Sequence, residues 1–342
     1  MVTFRRRLLF GLILGCLVLF AWLKLVDFRD MLRDFGSITV WFIIPGIVVY
    51  ILSFVLKALR WQVILSPIRH VRFSMLFKTY ISGTYINLLS PVKFGELAMC
   101  YLLKRSTSIP MSRSVPTVLV DRGFSLATTL LACLFLPFIA FSLHPFLRWI
   151  IVCAVAIFLI LIVVLLVERE KQKDILKRIV KIFFFLPVFW QQKAYEVLEN
   201  FLEIAKLIGK QRKILLPVLV FSIGINVAEG MAFYYFDRSL CVTNAMIYPV
   251  DCILGVLLVN MLYLVPTPPA GIGTTEWFYS IVFVFGFGIK AGDLSGVIVL
   301  WHVLASALII ILGLYSLVSL GARFFLLPDM SAWNRIGAEE KT

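Results

Sequence analysis

Apolar residues in this chain come in long uninterrupted blocks, and the polar residues gather between them. Six blocks have membrane-spanning length: residues 8–26, 40–56, 115–142, 146–167, 214–236 and 294–324. A hydrocarbon core takes roughly 20 apolar residues in a helix. Backbone groups in lipid must bond within their own segment, so each block is expected to be helical. A membrane β-barrel would instead read as short segments of alternating polarity. The pattern predicts an all-α integral membrane protein, read as a single polytopic domain over residues 1–342.

Two further regions are apolar but interrupted. Residues 75–103 break around Ser90-Pro91-Val92-Lys93-Phe94-Gly95-Glu96, and residues 245–287 break around Pro266-Thr267-Pro268-Pro269-Ala270-Gly271-Ile272-Gly273. Proline removes a helix donor and glycine frees the backbone, so each region is expected to split into two half-helices. Both run in the same order: Asn87, Pro91, Gly95, Glu96 in the first, and Asn260, Pro266, Gly271 or Gly273, Glu276 in the second. Paired broken helices in an inverted repeat are the pattern of transporters whose breaks form a site near the midplane. Helix starts after Gly95 and Gly273 would present N–H groups and a positive dipole end to a phosphate. Chance likeness is the alternative, because Pro and Gly are common in membrane helices.

Composition agrees with the pattern: 61% of residues are hydrophobic and 15% charged, against about 45–50% and about 25% in soluble domains. The net charge of +14 does not indicate nucleic acid, because the basic residues flank apolar blocks. With the N-terminus placed inside, 25 Lys and Arg fall in inside segments and 5 outside, and Lys24, Lys93 and Arg122 lie in apolar segments. This asymmetry predicts cytoplasmic termini in a cell (plasma or inner) membrane. It has the first interrupted region entering from the inside and the second from the outside, whether the second is re-entrant or makes two full spans. Arg5–Arg7 followed by an apolar run resembles a signal peptide, but the run continues through Cys16 to Val26. A retained first span is expected.

The one long polar stretch is 168–213. Ala194, Leu198, Phe201, Ala205 and Ile208 recur at helical spacing, with Glu196, Glu199 and Glu203 between them. It reads as a cytoplasmic amphipathic segment, its first half suited to the headgroup plane. Six scattered cysteines without a CxxC pair, and three distant histidines, give no metal site. No cofactor is expected. Phosphate loops, Gly-x-Ser-x-Gly elbows and His-Glu-x-x-His motifs are missing, which weakens an enzyme reading without removing it.

Ionisable residues at membrane depth are costly and therefore candidates for function. Glu96 and Glu276 follow the two breaks, Lys93 sits in the first, and Asp121 and Arg122 lie within an apolar block. Asp121 and Arg122 either serve a site or pair with each other. Asn226 and Glu229 share one face of the 214–236 block. Arg60, in Leu59-Arg60-Trp61, reads as an interfacial anchor, and His302 as a hydrogen-bonded interior residue or a proton relay. Lys93, Gly95, Glu96, Arg122, Gly271, Gly273 and Glu276 form the expected substrate site; Arg60, Asn87, Asp121, Asn226, Glu229, Asn260 and His302 are secondary candidates.

Several of these positions carry a family likeness. Leu59-Arg60-Trp61, Tyr85-Ile86-Asn87-Leu88-Leu89-Ser90-Pro91 with Gly95-Glu96, Val120-Asp121-Arg122, and Val265-Pro266-Thr267-Pro268 with Gly271-Ile272-Gly273 and Glu276 occur in that order. The chain resembles the lysylphosphatidylglycerol synthase transmembrane-region family, a flippase-like membrane module, over nearly its whole length. That resemblance implies a role in moving lipid, or in polysaccharide and lipid-linked sugar pathways of the cell envelope. The chain is read as the membrane module alone, so synthase activity is not implied. It departs from the family pattern at Leu97-Ala98-Met99, where an Arg often follows Gly-Glu. Asp121 replaces a Glu, Ser125 replaces an Asp, and Trp301-His302 stands where an Arg is expected.

The expected function is a lipid translocase for an anionic phospholipid or a polyprenyl-phosphate-linked substrate. Lys93 and Arg122 would meet phosphate, and the carboxylates would bind amine, sugar hydroxyls or a coupling proton. Two other classes stand beside it: a non-catalytic partner docking a glycosyltransferase or lipid-modifying enzyme through 168–213, and a membrane-embedded transferase acting on a lipid-linked sugar. The charge asymmetry makes a direct prediction. In a background without the native cysteines, single cysteines at Gln192 and Ser239 should react with impermeant reagent from opposite sides of the membrane; reaction of both from outside would contradict the topology.

Overall fold

The computed structural model describes residues 2–26, 38–90, 94–139, 212–240, 247–263 and 267–321, with isolated positions between them. The 146–167 block and the 168–213 segment lie almost wholly outside the described residues, as does Lys93. Among the described residues the chain is all-helical. In order come α1 (Val2–Leu23), α2 (Val40–Leu65), α3 (Phe73–Leu89), α4 (Gly95–Thr107), α5 (Met111–Ile139), α6 (Arg212–Ser239), α7 (Pro249–Leu262), α8 (Thr274–Ser280) and α9 (Ala291–Ser319). A 3-10 turn at Pro269–Gly271 precedes α8, and a π-helical stretch at Ile281–Gly286 continues it.

Among the described residues three helices are long and apolar enough to cross a membrane: α2, α6 over Lys213–Ser239, and α9. The hydrophobic run placed the end of the second span at residue 56, yet α2 continues to Leu65. Lys57 and Arg60 interrupt the apolar pattern but not the helix, because both have partners inside the protein. The helix stops where Pro67 can offer no N–H, and Ser66 closes its last turn on the Val63 carbonyl.

The interrupted regions break where proline and glycine fall. Helix α3 has 17 residues and α4 has 13, or about 25 and about 20 Å. Helix α7 has 14 residues, and α8 with its π extension has 7 and 6, again about 20 Å for each half. Each half is shorter than the roughly 30 Å of a hydrocarbon core. α3 folds back on α4. The Asn87 side-chain oxygen accepts from the Gly95 backbone N–H at 2.6 Å and fixes that turn. A Cβ on Gly95 would overlap the Gly83 carbonyl, so only glycine lets the two helices meet there.

Lipid is as apolar as leucine, so helices in a bilayer gain little by hiding apolar surface from it; close packing and interhelical hydrogen bonds hold them instead. α6 lies along α2, and the Thr39 N–H donates to the Ser239 carbonyl at 2.7 Å, joining the start of one to the end of the other. α3 packs on α9, with Tyr85 seated over Gly313. α1 lies against the second break through the indole N–H groups of Trp22 and Trp277, which donate to Ser280 Oγ and the Val18 carbonyl. The centre is aromatic. Trp301 of α9 meets Tyr50, Phe233, Phe236 and Tyr279 with ring centroids 5.1 to 6.2 Å apart. α2, α6, α8 and α9 thus converge on one indole, each ring pair contributing about 0.5–1.5 kcal/mol.

The strongest cross-link is ionic. Arg60 is 1% exposed and Asp121 2%. Arg60 Nε donates to Asp121 Oδ1 at 2.7 Å, Nη1 to Ser222 Oγ at 3.0 Å and Nη2 to Ser125 Oγ at 2.7 Å. This guanidinium joins α2, α5 and α6. It is not the interfacial anchor its Leu-Arg-Trp context predicted, because its charge is met wholly inside the bundle. Removing one member of such a buried pair costs about 3–5 kcal/mol. Asp121→Asn and Arg60→Met should each lower thermal stability in detergent strongly, and the double variant should lose much less than their sum. Additive losses would show that the pair does not hold the bundle together.

Candidate functional site

Among the described residues four polar groups are built across helices. The first is the Arg60–Asp121 pair. The expected contact between Asp121 and Arg122 does not form: neighbouring residues on a helix point in different directions, and Asp121 faces Arg60. Ser125, where the family pattern has an acid, receives a guanidinium N–H from Arg60. Asn226, one turn beyond Ser222 on α6, reaches Thr128 Oγ1 of α5 at 3.5 Å.

The second group centres on Glu229 of α6. Lys57 Nζ of α2 lies 2.5 Å from Oε1, and Asn260 Nδ2 of α7 donates to Oε2 at 2.8 Å. Glu229 is 8% exposed, so both carboxylate oxygens are engaged within the protein. Lys57 also lies 4.9 Å from the centre of the Phe54 ring. Sequence reading missed Lys57 because the apolar run ends at Leu56. The signal was its spacing: Lys57 lies three residues before Arg60, one helical turn away on the same helix.

The third group follows the first break. Glu96 lies in the first turn of α4, and its Oε1 sits 3.2 Å from Nη2 of Arg122 on α5. The Glu96 and Arg122 side chains are 31% and 40% exposed, against 2% for both members of the Arg60–Asp121 pair. Arg122 also approaches the face of Tyr80, at 5.9 Å. Its Nε is buried and has no hydrogen-bond partner.

The fourth group follows the second break. Glu276 in the first turn of α8 is 5% exposed. Its Oε1 is 2.7 Å from His302 Nδ1, and His302 Nε2 is 2.7 Å from the Ala270 carbonyl oxygen. Beside it, the Tyr263 hydroxyl donates to Thr275 Oγ1 at 2.8 Å. The turn below needs left-handed backbone at Ala270, Gly271 and Gly273, with φ of 56°, 69° and 79°. A Cβ on Gly273 would lie 2.6 Å from the Gly15 carbonyl of α1.

The two breaks therefore share a residue order but not a construction. Asn87 caps its own hairpin, whereas Asn260 reaches across to Glu229. Glu96 keeps an accessible partner; Glu276 is sealed against a histidine. The two hairpins do meet, since α3 touches the Pro269–Gly271 turn. Lys93 falls outside the described residues. Among the described residues no cluster of three His, Cys, Asp or Glu side chains stands ready for a metal ion.

Comparison with known proteins adds one result to this geometry. No curated protein matches the chain. The family model for the lysylphosphatidylglycerol synthase TM region matches residues 8–313, a stretch that contains both broken hairpins and all four polar groups. The chain belongs to the lysylphosphatidylglycerol synthase transmembrane-region family.

Proposed function

We propose that this protein is a flippase-like lipid translocase of the cell membrane, acting on a lipid with a phosphate in its headgroup: an anionic phospholipid or a polyprenyl-phosphate-linked substrate. The observation that carries the reading is the Glu96–Arg122 pair. It follows a broken helix, and it is far more accessible than the Arg60, Glu229 and Glu276 groups. A guanidinium whose Nη2 edge is accessible beside Glu96 matches phosphate oxygens in geometry and charge. Glu96 keeps Arg122 neutralised while no substrate is present, and a phosphate takes its place on the guanidinium. That exchange avoids leaving an unpaired cation in an apolar surrounding at either stage.

Family membership supports a lipid-related role, and the paired hairpins of half-length helices support an alternating-access design. In this reading both breaks are re-entrant, enter from opposite faces and form an inverted pair, with the α3 contact on the Pro269–Gly271 turn as their meeting point. The basic asymmetry of the sequence orients the termini to the cytoplasm.

Reconstitution into vesicles carrying a fluorescent phosphatidylglycerol tests the reading, with an impermeant quencher reporting movement between leaflets. A hydrogen bond to a charged group contributes about 1.5–3 kcal/mol, so Arg122→Gln should slow the movement by about 10- to 100-fold. Glu96→Gln should also slow it, because the cation then has no partner to return to. An unaltered rate in Arg122→Gln, or no movement with the unaltered protein, would overturn the proposal.

A further inference from the structure

The Glu276–His302 contact contains a proton that the geometry requires. A carbonyl oxygen only accepts, so His302 Nε2 must carry the hydrogen it gives to Ala270 at 2.7 Å. Nδ1 and Glu276 Oε1 are also 2.7 Å apart. With a neutral ring protonated at Nε2, Nδ1 is a bare lone pair; an ionised carboxylate is an acceptor only. Two bare acceptors cannot approach so closely, and one proton must lie between them. The pair therefore exists as imidazolium with carboxylate or as imidazole with carboxylic acid. Both forms hold the same single proton, and both are neutral overall.

Release of that proton to solvent leaves the pair with one negative charge and one hydrogen too few. Then either Nε2 lets go of the Ala270 carbonyl or Nδ1 lets go of Glu276. Both contacts fasten the second break: Ala270 belongs to the 3-10 turn, Glu276 opens α8, and His302 holds them to α9. Ala270 is in left-handed backbone with φ 56° and ψ 7°. That conformation costs a residue with a Cβ roughly 1–2 kcal/mol, so the turn needs what holds it. α1 and α3 pack on the same turn, and a shift there reaches both the first helix and the first hairpin.

The surroundings leave the proton to this pair. Among the described residues His302 is the one basic group within ion-pair distance of Glu276. From α7, Tyr263 is directed to Thr275. α1 presents the Val18 carbonyl and the Trp22 indole rather than a charge. On α3, Tyr80 lies against Arg122 and Tyr85 over Gly313. The π stretch has no titratable residue. Glu229 is already engaged by Lys57 and Asn260. Glu276 Oε2 is buried without a hydrogen-bond partner, which a carboxyl group held permanently ionised would not tolerate.

We propose that Glu276 and His302 form a single-proton site whose occupancy fastens the second break to α9, and that this proton is the ion driving translocation. The second half of the proposal rests on the translocase reading; the first does not. Glu276→Gln separates them. A glutamine N–H donates to Nδ1 while Nε2 still donates to Ala270, so both contacts survive without a proton that can leave.

Hydrogen–deuterium exchange of segment 269–280 in the reconstituted full chain, corrected for the intrinsic pH dependence of amide exchange, reads the first half. Protection in the unaltered protein should fall by about tenfold or more between about pH 5 and about pH 10, as a fastening hydrogen bond is lost. Glu276→Gln should stay flat and protected, and His302→Phe should be unprotected throughout. Equal pH dependence in the unaltered protein and Glu276→Gln would overturn the proton site. The second half is read by labelled phosphatidylglycerol movement under an imposed pH difference across the vesicle. Rates should follow the gradient in the unaltered protein and ignore it in Glu276→Gln. Movement indifferent to the gradient in both would overturn the coupling alone. Lack of lipid movement under every condition would remove the translocase reading together with its coupling, while the exchange result would still decide the proton site.

Discussion

A charge carried into a bilayer must find its partner inside the protein, and this condition organises the helices. Each ionisable residue at the bilayer centre costs about 2.5–3.5 kcal/mol on insertion scales. α2 brings two cations, Lys57 and Arg60. α6 answers the first with Glu229 and contributes Ser222 to the second, while α5 supplies Asp121 and Ser125. The tight pairing of α2 with α6 follows from this as much as from shape. Helices that would otherwise slide in an apolar solvent are held in one register by charges that cannot be satisfied elsewhere. The aromatic cluster around Trp301 fills the space those pairs define.

Against that background the two breaks divide the labour. Half-length helices leave backbone groups that lipid cannot satisfy, and the protein closes each break with a side chain: Asn87 at the first, His302 at the second. The first break is then finished with an accessible pair and the second with a buried one. An accessible Arg–Glu pair can exchange one partner for a phosphate. A buried Glu–His pair has no room for such an exchange and instead changes by one proton. The chemistry available at each break follows from exposure, since both have the same kind of carboxylate in the first turn of the helix.

Much of this was legible in the sequence. Of the six apolar blocks, block length identified three helices that are long and apolar enough to cross a membrane among the described residues, α2, α6 and α9, and Pro91 to Gly95 and Pro266 to Gly273 marked both breaks, because proline and glycine act on the backbone locally. Partner choice was not legible. Arg60 beside Trp61 has the local pattern of an interfacial anchor, and only the arrival of α5 and α6 makes it a buried hub. Asp121 and Arg122 are adjacent in sequence, yet their side chains diverge on the helix surface to different partners. The end of α2 was misplaced for the same reason: Lys57 stops a hydrophobic run, but paired with Glu229 it does not stop a helix. The role of Ala270 had no side-chain signal at all, since its backbone carbonyl does the work.

The central claim is that Arg122 is the cation kept available for a lipid phosphate, while Arg60 is committed to the fold. Mass spectrometry of lipids retained through purification tests this most directly, comparing the unaltered protein with Arg122→Gln at matched folding. The account predicts that phosphate-bearing anionic lipid is enriched on the unaltered protein and falls by about tenfold or more in Arg122→Gln, in line with loss of a charge-assisted contact. Equal retention of anionic lipid by both proteins would contradict it.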